Sequence, residues 1–186
     1  MVNKISSKIC TSLIQNKIIN EDDLEIYMYG LTMLLITIGE LIGLVLLGVI
    51  FGWLKEIIFF TIIFFFMRLQ AGGYHASTPM RCFLSFAVLS NVPIFLLKNI
   101  DLIRNPIILI IMLLIALIIF IKLAPQDTVN KPLDEDEKKI YKKRTFITYF
   151  VEVAIIIALF MINKDLNIYC YIGSAAIFIE AVSLLI

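Results

Sequence analysis

Six blocks of about 17–21 apolar residues, separated by short polar connections, run through this chain of 186 residues. Such a block leaves no polar face for water, and as a helix it roughly matches the hydrocarbon thickness of a bilayer. Lipid offers a backbone no hydrogen-bond partner, so each block must fold as a helix that pairs its N–H and C=O groups internally. Composition agrees. Hydrophobic residues make up 61% and charged residues 17%, against roughly 45–50% and about 25% in soluble domains, and mean hydropathy is +0.97. No strand alternation, low-complexity tract or internal repeat is visible. The expected fold is all-α: one polytopic membrane domain over residues 1–186, with about six transmembrane helices and an N-terminal amphipathic helix.

The spans are expected near residues 29–51, 53–69, 82–97, 106–123, 146–162 and 166–186. Gly39, Gly43 and Gly48 in the first offer small surfaces for close helix packing. The second is short, about 25 Å at 1.5 Å per residue, which keeps the connection after it near the interface. Asn91 and Pro93 predict a kink in the third. Residues 1–26 form an N-terminal region without the apolar core and cleavage site of a signal peptide. Ile5, Ile9 and Leu13 share a helical face while Lys4, Lys8, Asn16 and Lys17 stay wet. That pattern fits a helix in the membrane interface or one packed on the protein's own cytoplasmic side. Asn20 and Asp23 resemble the start of the next helix.

Basic residues set the orientation. With the N-terminus inside, Lys4, Lys8, Lys17, Arg68, Arg81, Lys122, Lys131, Lys138, Lys139, Lys142, Lys143 and Arg144 are cytoplasmic. Only Lys55, Lys98, Arg104 and Lys164 are then outside. The positive-inside rule therefore puts both termini in the cytoplasm, together with the connection 68–81 and a basic loop at 124–145. A net charge of +1 gives no electrostatic footprint for nucleic acid. Three distant cysteines and one histidine make neither a structural zinc site nor a disulfide scaffold. No metal or cofactor is expected.

Chemistry concentrates between the second and third spans. Residues 67–82 hold the chain's only histidine, His75, with Gly72-Gly73, Arg68, Gln70, Arg81 and Cys82. On an unbroken helix His75 and Cys82 would share a face about 10 Å apart along the axis. A base must approach its nucleophile to about 2.6–3.2 Å. The sequence breaks the helix between them: Gly72-Gly73 permits positive φ, and Pro79 suits the first position of a new helix after Thr78 as N-cap. Cys82 then falls in the first turn, where backbone N–H groups, the helix dipole and Arg81 favour an anion. Those N–H groups also suit an oxyanion in acyl transfer.

Each residue alone has a plainer reading. Cysteines are ordinary small hydrophobes, a double glycine makes a turn, and Arg68 and Arg81 suit headgroup anchors. Gln70 fits either an oxyanion donor or a helix-end surface. Glu40, Glu152 and Glu180 lie inside spans, where an ionisable group is expensive and marks function by default. They can pair with Arg68, Lys55 or one another, or hydrogen-bond while protonated, and a structural or peptide-groove role is expected of them. Asp127 is a candidate to orient His75. Asp134–Lys138 and Glu135–Lys139 have the i,i+4 spacing of ion pairs on a solvated helix that leads into span five.

The run Arg68-x-x-x-Gly72-Gly73-x-His75-Ala76, followed by Cys82, resembles the signature of the accessory gene regulator B family, the membrane cysteine endopeptidases of bacterial quorum sensing. The likeness extends to the size, the six spans and the Ala124-Pro125 start of a basic loop containing Asn130-Lys131-Pro132. The end at Ile186 without a polar tail departs from it. The resemblance implies that His75 and Cys82 are the catalytic pair and that Arg68 and Gly73 support it. It implies removal of the C-terminal tail of an AgrD-like peptide pheromone precursor through an acyl-enzyme thioester, then closure of a thiolactone, the autoinducing peptide. It also implies a homodimer in the cell membrane. The same residues leave open a membrane acyltransferase using the Cys–His pair, or a small transporter or channel component lined by the glutamates.

Overall fold

The computed structural model describes residues 2–73, 78–127, 133–162 and 167–185. Among them all regular structure is helical: α1 (Val2–Gln15), α2 (Leu24–Phe51), α3 (Leu54–Ala71), α4 (Pro79–Asn99), α5 (Pro106–Leu123), α6 (Glu135–Ile162) and α7 (Asn167–Ser183), with 3-10 turns at Glu21–Asp23 and Asp101–Ile103. The six apolar blocks correspond in order to α2 through α7. Among the described residues, α2, α4, α5 and α6 are long and apolar enough to cross a membrane. The other two sit at the edge of that range: α3 carries Lys55, Glu56 and Arg68 within its 18 residues, and α7 has 17.

The chain divides into two compact units, Met1–Leu47 and Gly48–Ile186. In the first, α1 buries Ser6 and Cys10 while Ile5 and Ile9 stay exposed. Thr32 of α2 donates a 2.9 Å hydrogen bond to the Ser6 hydroxyl. The wet face expected of α1 is kept, and its buried residues are Ser6 and Cys10 rather than Ile5 and Ile9. The expected helix start at Asn20 is a 3-10 turn, with the Asp23 amide donating to the Asn20 carbonyl, and α2 follows at Leu24.

In the second unit α7 is the core. It packs on α3, α4, α5 and α6, and residues 170–177 are all buried. Small residues make this possible: a Cβ on Gly173 would lie 3.2 Å from Ile156 and Phe59 side-chain atoms, so its neighbours approach the backbone itself. The antiparallel pair α3–α4 fixes which ends meet. Phe64 packs on Phe86 at 4.8 Å between centroids. The Trp53 indole N–H donates to the Asn91 side chain at 2.9 Å, and Lys98 meets Glu56 at 2.5 Å. Those contacts place the start of α3 beside the end of α4, and so the end of α3 beside the start of α4. Helix α4 continues through Pro93 to Asn99.

Of the three glycines expected to pack closely, Gly48 does so: a Cβ there would lie 2.7 Å from the Ile57 side chain and 3.0 Å from the Leu54 backbone. At Gly39 the same position meets nothing within 4 Å among the described residues. The polar start of α6 also differs in detail from expectation. Its ion pairs are Glu135–Lys138 and Asp136–Lys139, three residues apart. Asp134 is occupied otherwise: its carboxylate accepts from the amides of Asp136 and Glu137, while Glu137 accepts from the Asp134 amide. This reciprocal cap satisfies the helix start and takes Asp134 away from Lys138.

Candidate active site

The helix break expected between Gln70 and Cys82 is present. Helix α3 ends with the Gly72 amide donating to the Arg68 carbonyl at 3.1 Å. Gly72 has φ +79° and Gly73 φ +127°, in the region L side chains avoid. Helix α4 begins with Thr78 as N-cap and Pro79 in the first turn. The Thr78 hydroxyl accepts from the Arg81 amide at 3.3 Å, and the Cys82 amide donates to the Thr78 carbonyl at 3.0 Å. Cys82 thus occupies the fourth helical position, half-exposed. His75 lies in residues 74–77, outside the described residues.

One expectation changes. The amides of Arg81 and Cys82 are engaged by the cap and the first helical bond, and Pro79 has none, so the first turn offers fewer oxyanion donors than its sequence implies.

The two glycines are held from opposite sides. The Gln126 amide donates to the Ala71 carbonyl at 2.9 Å, and the Gln126 backbone fills the position a Gly72 side chain would take. Gly73 is covered by α3 and α7. A Cβ there would lie 2.5 Å from Ser183 Oγ, 2.8 Å from Arg68 Nη1 and 3.1 Å from Glu180 Oε1. These three side chains form one network. Arg68 Nη1 is 3.2 Å from Glu180 Oε2 and 3.3 Å from Ser183 Oγ, and the Ser183 hydroxyl donates to Glu180 Oε2 at 3.3 Å. Arg68 also lies over the Phe64 ring.

The other candidates separate. Glu180 joins Arg68. Glu152 is buried on α6, and neither of its carboxylate oxygens has a hydrogen-bond partner among the described residues. Glu40 belongs to the first unit. Gln70 is half-buried with its amide oxygen buried and without a partner among the described residues. Arg81 is exposed. Asp127 is exposed and lines a cavity of about 490 Å³, with Lys122, Lys138, Lys139 and Lys142, beside Gln126. Cys10 and Cys170 are fully buried, 0% exposed, and the Cys170 thiol donates to the Ile156 carbonyl. Cys82 alone of the three cysteines reaches the surface.

Sequence reasoning missed Ser183 and Gln126. Ser183 stands three residues after Glu180, on the same helical face, and that polar pair in an apolar helix was the available signal. Gln126 makes its contacts through its backbone, which no side-chain pattern announces.

The chain aligns with FsrB of Enterococcus faecalis at 29% identity over 143 residues, 77% of this chain and 58% of FsrB. It thus spans less than two thirds of that relative. Two proteins of Clostridium perfringens align as well: Putative AgrB-like protein 2, 28% identical over 84% of this chain and 78% of the relative, and Putative AgrB-like protein, 27% identical over 76% and 71%. No solved structure matches. The family model for accessory gene regulator B matches residues 6–184, nearly the whole chain and every helix of the bundle. This multi-pass membrane protein belongs to the accessory gene regulator B family.

Proposed function

We propose that the protein is a membrane cysteine endopeptidase that processes a quorum-sensing peptide precursor, with Cys82 as nucleophile and His75 as its base. The observation that carries this reading is the placement of Cys82. It is the half-exposed thiol of the three, set in the first turn of a capped helix, where helix dipole and polar backbone favour a thiolate. The family membership and the relatives' names support the quorum-sensing role.

The chemistry balances without a metal or cofactor. His75 takes the Cys82 proton, and the thiolate attacks the carbonyl preceding the precursor's C-terminal tail. The C–N bond breaks, and the tail leaves as an amine carrying the proton from His75. A cysteine thiol within the precursor then attacks the acyl-enzyme thioester, closing a thiolactone and returning the Cys82 thiol. Thioester exchange is nearly balanced in energy, so excluding water from the intermediate matters. A site at the edge of the membrane serves that need.

The AgrD-like precursor is the partner in this reading, with its amphipathic helix in the interface. Four lysines against Asp127 and Glu135 in the cavity by Gln126 suit an acidic stretch of peptide. The connection 68–81 and both termini face the cytoplasm, six helices cross the bilayer, and the assembly is a homodimer. The test uses protein in liposomes with a synthetic precursor. Cys82→Ala and His75→Ala should abolish cleavage, while Cys10→Ala and Cys170→Ala should cleave near the wild-type rate. Cleavage by Cys82→Ala at the wild-type rate would refute the assignment.

A further inference from the structure

We propose that Glu180 and Ser183 of α7 are positioning residues for the Cys82–His75 pair, acting through Arg68 and the backbone of Gly73. This rests on the active-site reading above. Glu180 is fully buried and Arg68 half-buried, with side-chain exposures of 0% and 19%, in a bundle whose other contacts are mostly apolar. A buried ion pair is a poor way to stabilise a fold, because well-packed apolar residues do as well or better. What such a pair does supply is direction, because hydrogen bonds between charged groups are strong and geometrically specific.

That geometry bears on Gly73. Three polar atoms from Arg68, Glu180 and Ser183 stand where its side chain would be, so the network closes directly on the backbone. Glu180 Oε1 faces this position and has no hydrogen-bond partner among the described residues. On the other side, Gln126 holds Ala71 and covers Gly72. The chain therefore leaves α3 from a clamped point and is clamped again at Thr78, the cap of α4. Residues 74–77, His75 among them, connect these two fixed ends. His75 follows Gly73 by two residues in sequence, and a misplacement of about 1 Å in a reacting pair costs on the order of 100-fold in rate. Glu180 thus acts on catalysis without touching substrate.

The test is full-length Glu180→Gln and Ser183→Ala protein in liposomes, assayed with the synthetic precursor and, separately, for alkylation of Cys82 by iodoacetamide across pH. Positioning predicts that kcat falls about 10- to 100-fold with KM within about twofold of wild type. It also predicts that the pH profile of alkylation moves toward that of His75→Ala, with Glu180→Asp recovering part of both. Wild-type kcat and alkylation profiles in both variants, with Cys82→Ala inactive, overturn the proposal alone, as does a rise in KM at unchanged kcat. Cleavage by Cys82→Ala overturns the active-site reading and this proposal with it. Should Glu180→Gln fail to fold, the milder Ser183→Ala decides by the same readouts.

Discussion

Arg68 and Glu180, 112 residues apart in sequence, meet at 3.2 Å. Each explains the other. An arginine near the end of α3 and a glutamate deep in α7 are both costly among apolar helices, and together they tie the helix before the connection 72–78 to the central helix of the bundle. Removing Glu180 takes the charged partner from Arg68, which keeps Ser183 and the Phe64 ring. Glu180→Ala should therefore destabilise the protein by about 3 kcal/mol, read as a lower melting temperature in detergent. The double variant Arg68→Met/Glu180→Leu should regain most of that stability yet stay inactive. Recovery of activity with stability would contradict the positioning role.

Gly73 leaves no room for a side chain. Its φ of +127° and the three polar atoms at its Cβ position both exclude a side chain. A backbone held in such a region costs a non-glycine residue about 1–3 kcal/mol, before any clash. Gly73→Val should abolish cleavage while the protein still inserts and folds as a helical bundle. Circular dichroism together with the cleavage assay checks this, and a fully active Gly73→Val variant would show that the hinge does not set the pair.

Thr78 organises the turn that holds Cys82. Thr78→Ala removes the side-chain acceptor for the Arg81 amide and should cost about 1 kcal/mol. Cys82 alkylation should slow severalfold, and Thr78→Ser should restore it. Equal alkylation rates in all three proteins would mean that the cap does not tune the thiol.

The basic stretch Lys138 to Arg144 of α6 carries the proposed topology through the positive-inside rule. A cysteine introduced by Asp136→Cys, on a Cys10→Ala/Cys170→Ala background, should react with an impermeant thiol reagent only after the cells are permeabilised. Labelling from outside intact cells would reverse the orientation and place the connection 68–81 on the outer face.

Much of this was legible in local sequence. The six apolar blocks mark α2 to α7, and Thr78-Pro79 and Gly72-Gly73 mark the break that sets Cys82 at a helix start, because caps and turns are determined by a few adjacent residues. Partners across the bundle were not legible. Arg68 had several candidate carboxylates, and only packing around α7 selects Glu180. The central place of α7 was hidden too, since its hydrophobicity resembles that of any span; the run Gly173-Ser174-Ala175-Ala176 was the clue, small residues where neighbouring helices crowd in. On α6, spacing alone favoured Asp134–Lys138, whereas backbone capping claimed Asp134 first.

The most direct test of the central claim is intact-protein and peptide mass spectrometry of the wild-type protein mixed in liposomes with a synthetic precursor and quenched within a single turnover. The expected result is a thioester adduct of the precursor, minus its C-terminal tail, on Cys82, absent from Cys82→Ala. An adduct on Cys10 or Cys170, or normal tail removal by Cys82→Ala with no adduct anywhere, would contradict it.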